Sequence, residues 1–95
     1  MLSPKNKAIL KSLANKIEPS LTLGKGEIDV NVVDTIAKAL KAHELIKVKV
    51  LTTAGDTKDV ANVIANKTSS ELVTTIGHVV ILYKKNEEHP LIVLG

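Results

Sequence analysis

Residues 21–51 read LTLGKGEIDVNVVDTIAKALKAHELIKVKVL, and this stretch decides the fold. Leu21-Thr22-Leu23 alternates as a short strand and runs into Gly24-Lys25-Gly26. Asp29 is a good N-cap, because its short carboxylate can accept a free amide N–H of the first helical turn. Val32, Val33, Ile36, Ala37 and Leu40 then recur at helical spacing on one face, and the helix should end near His43. From Leu45 to Leu51 the period changes to two. Ile46, Val48 and Val50 face one way, while Lys47 and Lys49 face the other, toward solvent or a partner. A strand, a helix and a strand in this order predict a right-handed crossover and parallel pairing.

Working outward, Ser3-Pro4 is a helix start: a capping hydroxyl followed by proline at the first helical position, where no N–H is needed. Ile9, Leu10, Leu13 and Ile17 follow at helical spacing, and Pro19 stops the run. Lys5, Lys7, Lys11 and Lys16 occupy other positions around this helix, so its polar side is basic. On the far side, Ala54-Gly55-Asp56 is a turn, with Asp56 or Thr57 capping a third helix. Val60, Ala61, Val63, Ile64 and Ala65 give that helix an apolar face. Leu72–Ile76, Gly77-His78 and Val79–Tyr83 read as a β-hairpin with a two-residue turn. The order is α-β-α-β-α-β-β. It predicts an α/β fold of the α+β-like, two-layer kind, in which helices pack on a mixed sheet of four strands. The chain reads as one domain, 1–95, with residues 86–95 as a C-terminal tail that turns apolar at Leu91–Leu94.

Ninety-five residues leave a thin margin for a core, so nearly every apolar side chain should be committed to it. Apolar residues are 44% of the chain and almost all aliphatic, Tyr83 being the only aromatic residue. Single-stranded RNA is usually gripped by stacking of bases on aromatic rings, which this chain cannot use as its main device. The net charge is +3, and all 13 basic residues are lysine. Lysine meets phosphate as a point charge and lacks the planar fork with which arginine reads guanine. Backbone shape and charge should therefore dominate any contact with a polyanion.

Several chemistries find no residues. There is no cysteine, which excludes disulfides, thiolate metal sites and thiol catalysis. His43, His78 and His89 have no metal-ligand spacing. His43 suits a helix C-terminus and His78 a turn. No serine lies in a Gly-x-Ser-x-Gly context. Lys25 is followed by Gly26 rather than Ser or Thr, so the glycine loop is not of the NTPase kind. The acidic residues are scattered. The chain reads as a non-enzyme without a cofactor, metal or small-molecule substrate. No apolar run approaches a membrane span and no signal peptide is visible, so a cytoplasmic, monomeric protein is expected.

What remains is a strand, a Gly-Lys-Gly loop and a helix start. Glycines let a backbone approach phosphate closely, and the helix N-terminus that follows favours an anion. Ser3-Pro4-Lys5-Asn6-Lys7, Leu10-Lys11-Ser12-Leu13-Ala14, Leu23-Gly24-Lys25-Gly26 and His43–Lys49 together resemble the small bacterial YhbY-type proteins. These are the stand-alone form of the CRM (chloroplast RNA splicing and ribosome maturation) domain. Ser70-Glu71-Leu72-Val73, Ile76-Gly77 and Leu82-Tyr83 extend the match, which runs from Leu2 to about Lys85.

The resemblance implies a fold like the C-terminal domain of translation initiation factor three. It also implies binding of structured RNA, and in bacteria an association with ribosomal RNA or precursors of the large subunit. The family's loop is similar to that of KH domains and is thought to contact the RNA backbone. Carried over, its first glycine is Gly24 and its lysine Lys25. Its fourth position is Glu27, whose carboxylate suits a helix N-terminus but repels phosphate. Ser69 and Lys84 stand where arginine is expected in relatives. The contact surface so expected is Gly24, Lys25 and Gly26 in the loop, Lys5, Lys7 and Lys11 on the first helix, and Lys84 at the end of the last strand. Lys47 and Lys49 join this surface if their sheet face is open, but a solvated strand face is the plainer account of that pair. The competing role is a protein-binding adaptor on ribosomal particles that uses the apolar tail.

Overall fold

The computed structural model of the chain describes residues 2–24, 28–51, 56–88 and 90–92. Its elements are α1 (Pro4–Ala14), β1 (Leu21–Leu23), α2 (Val30–His43), β2 (Leu45–Val50), α3 (Thr57–Thr68), β3 (Glu71–Ile76) and β4 (Val79–Tyr83). All seven appear in the expected order. Each helix starts on its own cap. Ser3 Oγ accepts from the Asn6 N–H at 3.1 Å, Asp29 Oδ1 from Val32 at 2.9 Å, and Asp56 Oδ1 from Lys58 and Asp59 at 2.9 and 3.2 Å. The third-helix cap is thus Asp56 rather than Thr57. Helix α1 stops at Ala14, short of Pro19. The amides of Lys16 and Ile17 bond to the Leu13 and Ala14 carbonyls in a tighter turn, and Ile17 still reaches the core. In α3, Val63 leaves the apolar face and is exposed.

The sheet is four-stranded, mixed, and ordered β1-β2-β4-β3. β1 pairs with β2 in parallel, as the strand–helix–strand reading requires. β2 and β3 also run in the same direction, but β4 lies between them and is antiparallel to both. The hairpin turn closes at Gly77, whose φ of 58° is easy for glycine and costly for other residues. A bulge at Val73 gives β3 one extra residue. It turns Val73 and Thr74 together toward α1, where both line the same cleft.

The four-stranded mixed sheet with packed helices is as expected, but the helices divide between its two faces, which makes three layers where two were expected. Ile46, Val48, Val50, Val80 and Leu82 join Ile36, Leu40, Val60, Ala61 and Ile64 in the larger core, so α2 and α3 share one face. Leu10 and Ala14 of α1 pack with Leu45, Val73, Ile81 and Tyr83 on the other. The cause is that β2 and β4 bury both sides at the end where they start and finish: Leu45 and Ile46 are both buried, as are Ile81, Leu82 and Tyr83. A central strand apolar on both sides needs cover on both.

Candidate nucleic-acid interface

Gly24, the ends of β1 and β2, and the β3–β4 turn lie at one end of the sheet. Leu51 donates its N–H to the Leu23 carbonyl at 2.9 Å, and Val50 donates to the His78 carbonyl at 2.7 Å. These bonds set Gly24, which follows edge strand β1, beside the ends of β2 and the hairpin. The caps of α2 and α3 open toward the same end. Thr57 Oγ1 lies 3.4 Å from His78 Nδ1, a local contact that gives His78 a structural place.

Gly24 is not required by its own surroundings. Its φ is outside the left-handed region, and an added Cβ would lie 3.6 Å from Leu51 Cδ1, an ordinary contact. Lys25, Gly26 and Glu27 lie outside the described residues.

The α1 lysines gather at the opposite edge of the sheet. Lys7 and Lys11, one turn apart, flank a shallow cleft of about 550 Å³ whose other wall is Val73 and Thr74 of edge strand β3. Lys7 is half-buried, and Lys11 and Lys5 are exposed. Lys5 is on the first turn, outside that cleft. The helix carries no carboxylate. Among the described residues the one lysine paired with a carboxylate is Lys38, which meets Asp34 at 3.0 Å on the outer side of α2. Among the described residues, then, no carboxylate pairs with Lys5, Lys7 or Lys11.

Lys84 is not brought together with the others. Its ammonium donates to the Thr68 carbonyl at 3.1 Å, at the C-terminus of α3, and its N–H donates to the Glu44 carbonyl at 2.8 Å. A cation there complements the helix dipole. It lies at the end of the sheet remote from Gly24, since Tyr83 faces Leu45 whereas Val79 faces Lys49.

Glu44 is the functional-looking residue that sequence reasoning missed. It is fully buried, and its backbone has φ 62° and ψ −41°, a conformation that a residue with a side chain adopts only under constraint. Its Oε2 accepts from the Asn86 N–H at 2.6 Å, and its Oε1 from Leu91 at 2.5 Å and Ile92 at 2.6 Å. Burial alone would push this carboxyl up. The N–H donors of Asn86, Ile92 and Leu91, helped by the charge of Lys85, outweigh burial and hold it below its ordinary value. The same burial, with the charges of Glu44 and Glu87, pushes the Tyr83 phenol up. A usable signal is present in the sequence, because a carboxylate just past a helix C-terminus opposes the dipole and wants another reason to be there.

That reason is the tail. Ile92 packs against the α1-side core, beside a groove of about 430 Å³ near Leu13 and Ile17, while Leu91 remains 60% exposed. Residues 90–92 form no strand, and Val93 and Leu94 lie outside the described residues. Among the described residues no group of His, Asp and Glu could hold a metal ion, and no helix is long and apolar enough to cross a membrane.

Comparison with known proteins supplies the remaining observation. Residues 2–84 match the model of the CRS1 / YhbY (CRM) domain. The chain is 42% identical to "Probable RNA-binding protein YqeI" of Bacillus subtilis over 99% of both chains. It is also 42% identical to an "RNA-binding protein" of Haemophilus influenzae, over 92% of this chain and 89% of that one. The solution structure of SAV1595 from Staphylococcus aureus is similar over the full length of both chains, with a TM-score of 0.84 at 40% identity.

Proposed function

The chain belongs to the CRS1/YhbY (CRM) domain family, and from that membership we propose that it is a non-catalytic protein that binds structured RNA. The observation that carries this reading is the match, over about nine-tenths or more of each chain, to relatives named for RNA binding. That no carboxylate among the described residues pairs with the α1 lysines agrees with it. In this reading the RNA is that of the large ribosomal subunit or its precursor, met during ribosome assembly. Gly24, Lys25 and Gly26 form a KH-like loop against the sugar–phosphate backbone, with Lys25 as the charge at its tip. Lys5, Lys7 and Lys11 meet further phosphates, and Lys84 is a secondary contact because its ammonium already serves α3. The tail is assigned to stability, since Glu44 and the core engage its described residues.

The test is binding to large-subunit ribosomal RNA fragments across a salt series. Phosphate contacts release counter-ions, so affinity should fall steeply with salt, and Lys7→Ala/Lys11→Ala should lower the log–log slope by about two and weaken binding by about 1 kcal/mol or more. Equal binding by wild type and variant would remove α1 from the interface.

Gly24→Ala gives a second, sharper result. Alanine fits the local space, so stability should hold or rise by up to about 1 kcal/mol. RNA affinity should nonetheless drop, because the methyl group stands where a backbone would approach. A variant that binds as well as wild type would show that no close approach occurs at Gly24.

A further inference from the structure

Helix α1 covers only part of its sheet face. Reading across that face by register, Thr22, Lys49, Val79 and Ile76 form one row, and Lys47, Ile81 and Thr74 the next. Leu45, Tyr83 and Val73 follow and are buried with α1. The first row is open: Thr22 and Lys49 are exposed, Val79 is half-buried and Ile76 is 51% exposed. Neither of these two rows holds a carboxylate. The face's only acidic strand residue is Glu71, opposite Tyr83 at the covered end.

Two observations separate this surface from an ordinary solvated strand. First, charged residues often guard an exposed edge strand against pairing. β2 is not an edge, since it pairs with β1 on one side and β4 on the other, so Lys47 and Lys49 are not edge guards. Second, the open row lies between the two groups of expected contacts. Gly24 adjoins the β1 edge and Lys7 with Lys11 overhangs the β3 edge, three strand spacings or about 14 Å across. The shortest path between them across the face runs over the row of Lys49, beside Lys47.

We infer that the uncovered row of the sheet, with half-buried Lys47 at its margin, is the floor of the RNA interface, with Lys47 and Lys49 on successive phosphates of one strand. The inference rests on the RNA-binding reading above. The two lysines project from the same face two residues apart, roughly 6.6 Å along the strand, a spacing of the order of that between neighbouring phosphates. Thr22 offers a hydroxyl to ribose 2′-OH groups, and Val79 with Ile76 offers aliphatic contact to the sugars. Neither row carries an aromatic side chain for stacking, so the face takes the backbone of folded RNA rather than splayed bases.

The experiment is the full chain carrying Lys47→Gln and Lys49→Gln, titrated with the same ribosomal RNA fragments beside wild type. The melting temperature should stay near that of wild type, while affinity falls roughly tenfold at fixed salt and the log–log slope drops by about 1.4–1.8. If half-buried Lys47 proves necessary for folding, Lys49→Gln alone is read, with a slope change of about 0.7–0.9. Wild type that binds with a steep salt dependence, beside a folded variant that matches it, would overturn the sheet-floor inference and leave RNA binding standing. The face would then be free for solvent or a protein. Wild type without salt-sensitive binding would remove both readings together.

Discussion

Replacing Glu44 by leucine should cost about 2–4 kcal/mol of stability, measured by chemical denaturation. Three backbone N–H groups lose their acceptor in a partly buried setting, and each such loss costs about 1–3 kcal/mol. Removing a buried charge returns part of this, because its desolvation is no longer opposed to folding. Glu44→Gln keeps one oxygen acceptor and should fall between leucine and wild type. Glu44→Gly divides the two roles of the residue. It relieves a positive φ worth about 1–3 kcal/mol but abandons the tail, so it should be less harmful than leucine. The acid side gives an independent reading. The carboxyl titrates lower in the folded chain than its ordinary 4.5, so its contribution is complete above that pH and is lost as pH falls through the folded value. Wild type should therefore lose stability below about pH 4.5 more steeply than Glu44→Gln. Parallel acid profiles for the two proteins would show that another group is responsible.

The second large effect concerns the helix that carries the lysines. Leu10 is fully buried between α1 and the sheet, and truncation to alanine should cost about 2–5 kcal/mol through lost burial and the cavity left behind. For a domain of this size that corresponds to a fall in melting temperature of roughly 10–25 °C. The loss should be uneven. Amide exchange in α1 should quicken first, while Ile64 and its neighbours on the opposite face keep their protection, because the two cores have no buried residue in common. Uniform loss of protection would mean that α1 and the α2–α3 layer unfold as one unit. A cost below about 1 kcal/mol would mean that α1 is not held by Leu10.

The elements that local chemistry dictates are legible in the sequence itself. Caps at Ser3, Asp29 and Asp56, the helical spacing from Val32 to Leu40, the alternation from Ile46 to Val50 and the Gly77-His78 turn each depend on a few neighbouring residues. The pairing order is less so. Placing β4 between β2 and β3 is a choice among partners far apart in the chain, and period-two strands of similar composition carry no label for it. The same holds for α1, whose apolar stripe does not say which side of the sheet it covers. Glu44 escapes because a buried carboxylate is recognised by its donors, and these lie 42 to 48 residues away. For the site, the glycine and the lysines are readable as types suited to phosphate. Their arrangement at opposite edges, with Lys47 and Lys49 between and Lys84 apart, is a property of the fold. Lys25 and Gly26, expected from the sequence, lie outside the described residues.

The strand order also bears on when this chain can fold during its synthesis. Of the two central strands, one is made early and the other, β4, is the last strand of the chain to be made. Until translation has passed residue 83, β2 has no partner on one side, and the larger core lacks Val80 and Leu82. The emerging segment therefore carries unpaired strand edge and exposed aliphatic surface for most of the time it takes to make it, the condition under which nascent chains associate wrongly. Closure of the sheet by β4 and capture of Asn86, Leu91 and Ile92 by Glu44 therefore both wait on segments made after residue 78.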